Sequence, residues 1–169
     1  MSDVARFQPA LRRARLLVLD VDGVLTDGRL YYGAKGEALK TFHVRDGHGV
    51  KQVAAAGITI AIISGRKSPA VARRARELGI KHVFQGVSDK LAVLSKLLAK
   101  LGVPAEHCVC VGGDTPDAPV LAAAGLGIAV ADAHDDARTV AQLVTSLPGG
   151  RGAVREVCDW LIAARGNRP

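Results

Sequence analysis

Four stretches of this chain put reactive groups where an apolar run stops: Asp20 and Asp22 in LLVLDVDG, Ser64, Gly65 and Arg66 in IISGR, Lys90 in SDK, and Asp114 and Asp117 in VCVGGDTPD. Two carboxylates at i and i+2 can share one small site if the backbone turns instead of continuing as a strand, and Gly23 permits the turn. Carboxylates, a hydroxyl and an ammonium together suit phosphoryl transfer. Paired carboxylates would hold Mg2+, one of them would attack phosphorus, and the lysine and hydroxyl would neutralise the phosphoryl oxygens. Each type also has an ordinary use. Aspartates cap turns, Ser64 could N-cap a helix, and Lys90, Arg66 and Arg151 could be solvated surface charges, so the case rests on convergence.

Convergence requires elements that deliver all of these ends to one edge. Apolar runs rich in Val, Ile and Leu alternate with helical patterns, which argues for βαβ units around a parallel sheet whose ligands bind at the carboxyl ends of the strands. The first strand, RLLVLD, ends at Asp20. RLYYG and ALKTFHV flank AKGE and predict a protruding β-hairpin, followed by the helix DGHGVKQVAAAG. The strand ITIAII stops at Ser64; a helix over 67–78 begins near Pro69, and the strand KHVFQG follows. A helix over 88–101 has Ser88 as its expected N-cap. HCVCVG leads to the acidic loop, then a helix over 117–124, the strand GIAVA, a helix near 135–140, the strand QLVT and a helix over about 154–164 complete the pattern. The expected fold is α/β: a doubly wound, Rossmann-like parallel sheet with a hairpin flap at about 28–44, no large cap domain and a C-terminal tail from about 148, in one domain over 1–169.

Composition narrows the function classes. The chain has 169 residues, 49% of them hydrophobic, and a net charge of +7, which admits nucleic acid, an anionic surface or a phosphorylated small molecule as partner. Three Phe, two Tyr and one Trp are too few for a base-stacking platform, which favours the small anion over nucleic acid. The longest apolar stretch, APVLAAAGLGIAVADA, is too short and too interrupted to span a membrane. The first twenty residues show no secretory pattern, so a cytoplasmic location is the default expectation. Cys108, Cys110 and Cys158 are an odd set best taken as buried free thiols, and the five histidines lack metal-ligand spacing.

The apolar strand with DxDGxxxD, followed in order by IISGR, SDK and VCVGGDTPDAPVL, resembles the haloacid dehalogenase superfamily along nearly the whole chain. The resemblance implies that Asp20 forms an aspartyl-phosphate, that Asp22 protonates the leaving alcohol and then activates water, and that Ser64 and Lys90 hold the phosphoryl group. It implies Mg2+ held by Asp20, Asp22 through its carbonyl, and an acidic residue of the last motif, Asp114 or Asp117. FHVRDGHGV, GVSDK, VADAHDDAR and GGRGAVREVCDWL are similar to the cap-less members that act on phosphorylated acidic sugars. From that likeness the expected substrate is 3-deoxy-D-manno-octulosonate 8-phosphate, a lipopolysaccharide precursor, and the expected assembly is a homotetramer in which neighbours cover each site. Arg66 beside Gly65 would grip the sugar carboxylate bidentately, and Arg151 in the tail would reach a neighbouring site. A phosphatase for a neuraminate-type 9-phosphate or another sugar phosphate is the alternative, although that group tends to carry an acidic residue at Arg66.

One position departs from the pattern. The last motif usually reads GDDxxD, and this chain has Gly112, Gly113, Asp114, Thr115, Pro116 and Asp117, with glycine where a metal-binding aspartate is usual. Asp114 would then swing in, Asp117 would reach the metal through water, or affinity would fall. A catalytically degenerate, sugar-phosphate-binding member is the reading that departure motivates.

Overall fold

The computed structural model describes residues 3–166. Helices α1 (Asp3–Arg6) and α2 (Gln8–Arg13) lead into strand β1 (Leu16–Leu19), all four of whose residues are buried. The hairpin β2 (Tyr31–Gly33) and β3 (Gly36–Leu39) follows, then α3 (Val44–Ala55), β4 (Thr59–Ser64), α4 (Pro69–Glu77), β5 (His82–Gln85) and α5 (Lys90–Leu101). The second half runs through β6 (Cys108–Gly112), α6 (Ala118–Ala123), β7 (Leu126–Ala129), α7 (Asp135–Val140), β8 (Leu143–Val144) and α8 (Ala153–Ala164). Single 3-10 turns at Ala105–His107 and Thr115–Asp117 join α5 to β6 and β6 to α6.

Six strands form one parallel sheet in the order β5-β4-β1-β6-β7-β8, and the hairpin stands apart as a two-stranded antiparallel ribbon. The period-two pleat sends alternate β1 residues to opposite faces. Leu17 and Leu19 pack with Leu11, Val50, Val53, Val71, Val157 and Leu161, so α2, α3, α4 and α8 cover that face. Leu16 and Val18 pack with Leu94, Leu97, Val120, Leu121 and Ala137, which places α5, α6 and α7 on the other. The doubly wound α/β expectation is met, and among the described residues the hairpin is the only structure inserted between β1 and β4 apart from α3. No helix among the described residues is long and apolar enough to cross a membrane. All three cysteines are free and buried.

The chain runs from β1 to β4 and β5 on one side and then crosses back through α5 to β6 on the other, which opens a crevice at the carboxyl end of β1. The register aligns Leu19 with Ile62 of β4 and Val111 of β6, so Asp20, Ser64 and Gly112 all emerge at the same edge.

Several local expectations shift. The second hairpin strand stops at Leu39 and Val44 begins α3, whereas ALKTFHV reads as one strand in sequence. Asp89, not Ser88, caps α5: its side chain accepts the Ala92 N–H at 2.9 Å, which leaves Ser88 outside the helix. Helices α1 and α2 have no counterpart in the sequence reading, and the last three residues of the expected tail lie outside the described residues.

The RDGHG segment at the start of α3 is a packing device. Buried Asp46 accepts the Arg155 N–H at 2.8 Å, so a carboxylate on α3 satisfies an orphan donor in the first turn of α8. Burial holds the Asp46 carboxyl above the usual carboxylate range, against the pull of that hydrogen bond. Gly49 lets the two helices close up, since a Cβ there would stand 2.9 Å from both Cys158 Cβ and Arg155 Cδ. Gly49→Val should therefore cost about 1–3 kcal/mol by overpacking, more than the few tenths gained in helix propensity. A thermal melt would show a lower Tm for this variant, and an unchanged Tm would mean that α8 yields freely.

Candidate active site

Asp20 follows β1 directly, and its N–H donates to Val111 O at 3.1 Å, which ties the first acidic residue to the neighbouring strand. The chain then turns at Gly23, whose φ of +85° lies in the left-handed region that favours glycine. Buried Thr26 pins this turn: its hydroxyl accepts N–H groups from Gly23 and Gly28, each at 3.2 Å, and donates to Val21 O at 3.3 Å. From the other end of the chain, Gly150 N–H donates to Val24 O at 2.9 Å. Gly149 packs so close that a Cβ would fall 1.7 Å from Gly23 O.

Lys90 is the centre of the site's charge. It opens α5, and its ammonium donates to Asp20 Oδ1 at 2.9 Å and Asp117 Oδ1 at 2.6 Å, with all three side chains buried. Burial disfavours the ammonium, but the two carboxylates outweigh it and hold the Lys90 pKa above its ordinary value. The Asp20 carboxyl is pushed up to about 7, by burial first and by Asp117 next, against the pull of Lys90. Two carboxylates against one ammonium leave a buried negative excess at the end of β1.

Asp117 spends its second oxygen on the backbone. Its Oδ2 accepts the N–H of Gly113 at 2.8 Å and of Asp114 at 3.2 Å, folding the last motif into a capping box in which Asp114 Oδ1 accepts the Thr115 N–H at 2.7 Å. Asp117 thus anchors Lys90 to the acidic loop.

Seven of the nine expected residues, Asp20, Asp22, Gly65, Arg66, Lys90, Asp114 and Asp117, line one cavity of about 180 Å³, joined by Pro116, which sequence reasoning passed over. Ser64 is buried at the end of β4 and is not on the cavity wall. Arg151 stands elsewhere within its own chain, in a cavity of about 580 Å³ with Arg45, Arg155 and Trp160. Arg66 is half-exposed; its guanidinium donates to Tyr32 Oη at 3.3 Å and Glu37 at 3.5 Å and lies 3.9 Å from Asp22 Oδ2. Two hairpin residues that the sequence reading missed join this network. Buried Lys40 donates to Asp22 Oδ1 and lies 3.4 Å from Glu37, and Glu37 accepts the Ser68 hydroxyl at 2.6 Å. An alternation of charged and apolar residues in a hairpin carries no signal of which face will be buried.

Among the described residues, no three His, Cys, Asp or Glu side chains are grouped so as to hold a metal ion, consistent with Gly113 supplying no oxygen and Asp117 being committed to the backbone. The donors that do face the cavity are nevertheless hard carboxylate oxygens beside an uncompensated negative charge. That chemistry fits Mg2+ with water completing its shell.

Residues 30–125 match the model described as haloacid dehalogenase-like hydrolase, more than half of the chain. The chain belongs to that family. Within the haloacid dehalogenase-like hydrolases it is similar to 3-deoxy-D-manno-octulosonate 8-phosphate phosphatase KdsC of Escherichia coli K12, at 52% identity over 152 residues covering 90% of this chain and 81% of the relative. The crystal structure of the 3-deoxy-D-manno-octulosonate 8-phosphate phosphatase from Moraxella catarrhalis, in complex with magnesium, phosphate and KDO, superposes with a TM-score of 0.93 at 42% identity, over 96% of this chain and 93% of that one. A probable YrbI family phosphatase from Pseudomonas syringae has a TM-score of 0.94 at 48% identity, with 99% and 93% covered.

Proposed function

We propose that this chain is a Mg2+-dependent phosphomonoesterase that hydrolyses 3-deoxy-D-manno-octulosonate 8-phosphate, supplying the free sugar acid for lipopolysaccharide. The observation that carries the reading is the buried Asp20–Lys90–Asp117 constellation, at the crevice of a fold shared with phosphatases of that sugar. Asp20 attacks phosphorus and displaces the sugar alcohol, leaving an aspartyl-phosphate. Asp22 gives that alcohol its proton and then takes one from the water that releases phosphate. Lys90 holds the phosphoryl oxygens, joined by Ser64 once its buried hydroxyl turns toward the cavity from the end of β4; Gly65 lets the substrate approach the backbone, and Arg66 turns from Glu37 to the sugar carboxylate. Asp20, the Asp22 carbonyl and Asp114 would hold Mg2+, with Asp117 acting through water. Bound there, the cation supplies charge neutralisation for the transferring phosphoryl group.

A cavity of about 180 Å³ beside a two-stranded flap does not enclose an eight-carbon sugar phosphate. We therefore extend the proposal to a cytoplasmic homotetramer in which neighbours complete the site, Arg151 being the tail residue that reaches across. The exposed Leu30, Tyr31, Tyr32 and Leu39 of the hairpin supply an apolar surface for such contacts.

The deciding experiment measures phosphate release from the octulosonate 8-phosphate, a neuraminate-type 9-phosphate and other sugar phosphates while Mg2+ is titrated, for the native chain and for Gly113→Asp. A Cβ at Gly113 would meet Gly23 O, Val24 and Val130 at 3.4 Å, tight but tolerable with small shifts. The variant should reach half-maximal rate at roughly 10-fold to 100-fold lower Mg2+. Turnover selective for the octulosonate supports the assignment. Preference for another phosphate changes the substrate, and silence on every substrate at saturating Mg2+ reduces the chain to a binding subunit.

A further inference from the structure

The hairpin inverts the usual rule of burial. From Gly28 to Arg45 only one residue is buried, and it is Lys40; Leu30, Tyr31, Tyr32, Leu39 and Val44 face outward. The Lys40 side chain retains 2% of its accessible surface, and its ammonium is held between Asp22 and Glu37. Burying an ammonium is costly unless its partners compensate; Phe42 packs against the core two residues further on, but within β2 and β3 themselves no apolar side chain is buried, so the ribbon is seated lysine-first. The hairpin is therefore seated by charge, on one residue of the catalytic turn.

That residue is Asp22, and it is held from two sides. Lys40 donates to Oδ1 from the hairpin, and Arg66 Nε lies 3.9 Å from Oδ2 at the end of β4. Glu37 ties these two cations together, at 3.4 Å from Lys40 and 3.5 Å from Arg66, and accepts the Ser68 hydroxyl. Only the Lys40 contact is buried enough to fix a side chain, because the Arg66 guanidinium is 42% exposed and solvent screens its pairs.

We propose that Lys40 is a positioning residue for the leaving-group step: it fixes the Asp22 carboxyl in one orientation, so the hairpin must be seated before the departing sugar oxygen can be protonated. This inference rests on the phosphatase reading above. In the step concerned, the bond from phosphorus to the sugar oxygen breaks as an Asp20 oxygen bonds to phosphorus, and the Asp22 proton moves to the departing oxygen. Water then adds to phosphorus, returns a proton to Asp22 and frees the Asp20 carboxylate. Lys40 exchanges no proton and touches no substrate.

Leaving-group dependence tests the idea. A sugar alkoxide needs its proton, whereas p-nitrophenolate leaves without one. In single-turnover experiments, which read aspartyl-phosphate formation and not its hydrolysis by the Asp22-activated water common to both esters, Lys40→Met should slow transfer from the octulosonate 8-phosphate by about 100-fold while transfer from p-nitrophenyl phosphate slows less than about 5-fold, with KM for the sugar phosphate changed by no more than about 3-fold. Lys40→Arg, which keeps the charge, should recover part of the lost rate, and thermal melts confirm that each variant is folded. Equal losses on both esters, or a raised KM with unchanged kcat, would overturn the role of Lys40 while leaving the phosphatase reading intact. A native chain that hydrolyses neither ester removes both. If Lys40→Met does not fold, the same contrast between esters in Lys40→Arg decides, a loss confined to the sugar phosphate supporting the role and an equal loss overturning it.

Discussion

If Asp20 is the nucleophile, as proposed, Asp20→Asn should end phosphate release, lowering kcat by about 10⁴-fold or more, because an amide cannot take that role and no other carboxylate stands in its place. Asp22 is turned toward Lys40, and Asp117 is spent on Lys90 and two backbone N–H groups. The fold should survive the change. Asparagine keeps the shape and offers its Oδ1 to Lys90, and the substitution removes one of two carboxylates crowded into a buried site. The measurement is a burst experiment with radiolabelled substrate alongside a circular dichroism melt. Label trapped on the native chain and absent from a folded variant is the expected pair of results; a variant that still turns over would place the nucleophile elsewhere.

Lys90→Met carries the largest expected loss of stability. Removing one partner of a buried ion cluster leaves the rest uncompensated, and Lys90 is the only cation bonded to Asp20 and Asp117 among the described residues. The cost should be about 3–5 kcal/mol, or a fall in Tm of roughly 6–20 °C for a chain of this size. The size distinguishes this from an ordinary surface pair, which is worth at most about 1 kcal/mol. The double variant Lys90→Met with Asp117→Asn should recover part of the loss, since it removes one stranded charge while an amide oxygen can still accept from Gly113 or Asp114. No recovery would mean that Asp117 matters for loop geometry more than for charge. Activity should fall with stability in the single variant and stay low in the double one, because both lack the ammonium proposed to hold the phosphoryl oxygens.

The residues that end strands were readable because the sheet itself makes them converge. Asp20, Ser64, Lys90 and the acidic loop sit at breaks in apolar periodicity, and a parallel sheet sends every such break to one edge. What escaped the sequence depends on contacts between distant segments. Lys40 looks like any hairpin lysine, and only the tertiary seat reveals that it points inward toward Asp22. Asp46 looks like a first-turn acid of its own helix, yet it accepts from Arg155, 109 positions later. Thr26 is indistinguishable by type from a surface threonine, although three backbone groups depend on it. The misplaced cap at Ser88 is a different kind of error: Ser88 and Asp89 are both good caps, and one residue of helix register chose between them.

The close approach of Gly149 and Gly150 to the turn at Gly23 has a consequence for how the enzyme comes into being. A chain emerging from the ribosome exposes Asp20, the proposed nucleophile, within the first two dozen residues, but the strap that braces this turn is made more than a hundred residues later. At a synthesis rate of about 5–20 residues per second, the reactive loop waits on the order of ten seconds without its brace. Nascent chains halted before residue 149 should therefore carry Asp20 and Lys90 without a set geometry between them, so catalytic competence arrives late and all at once.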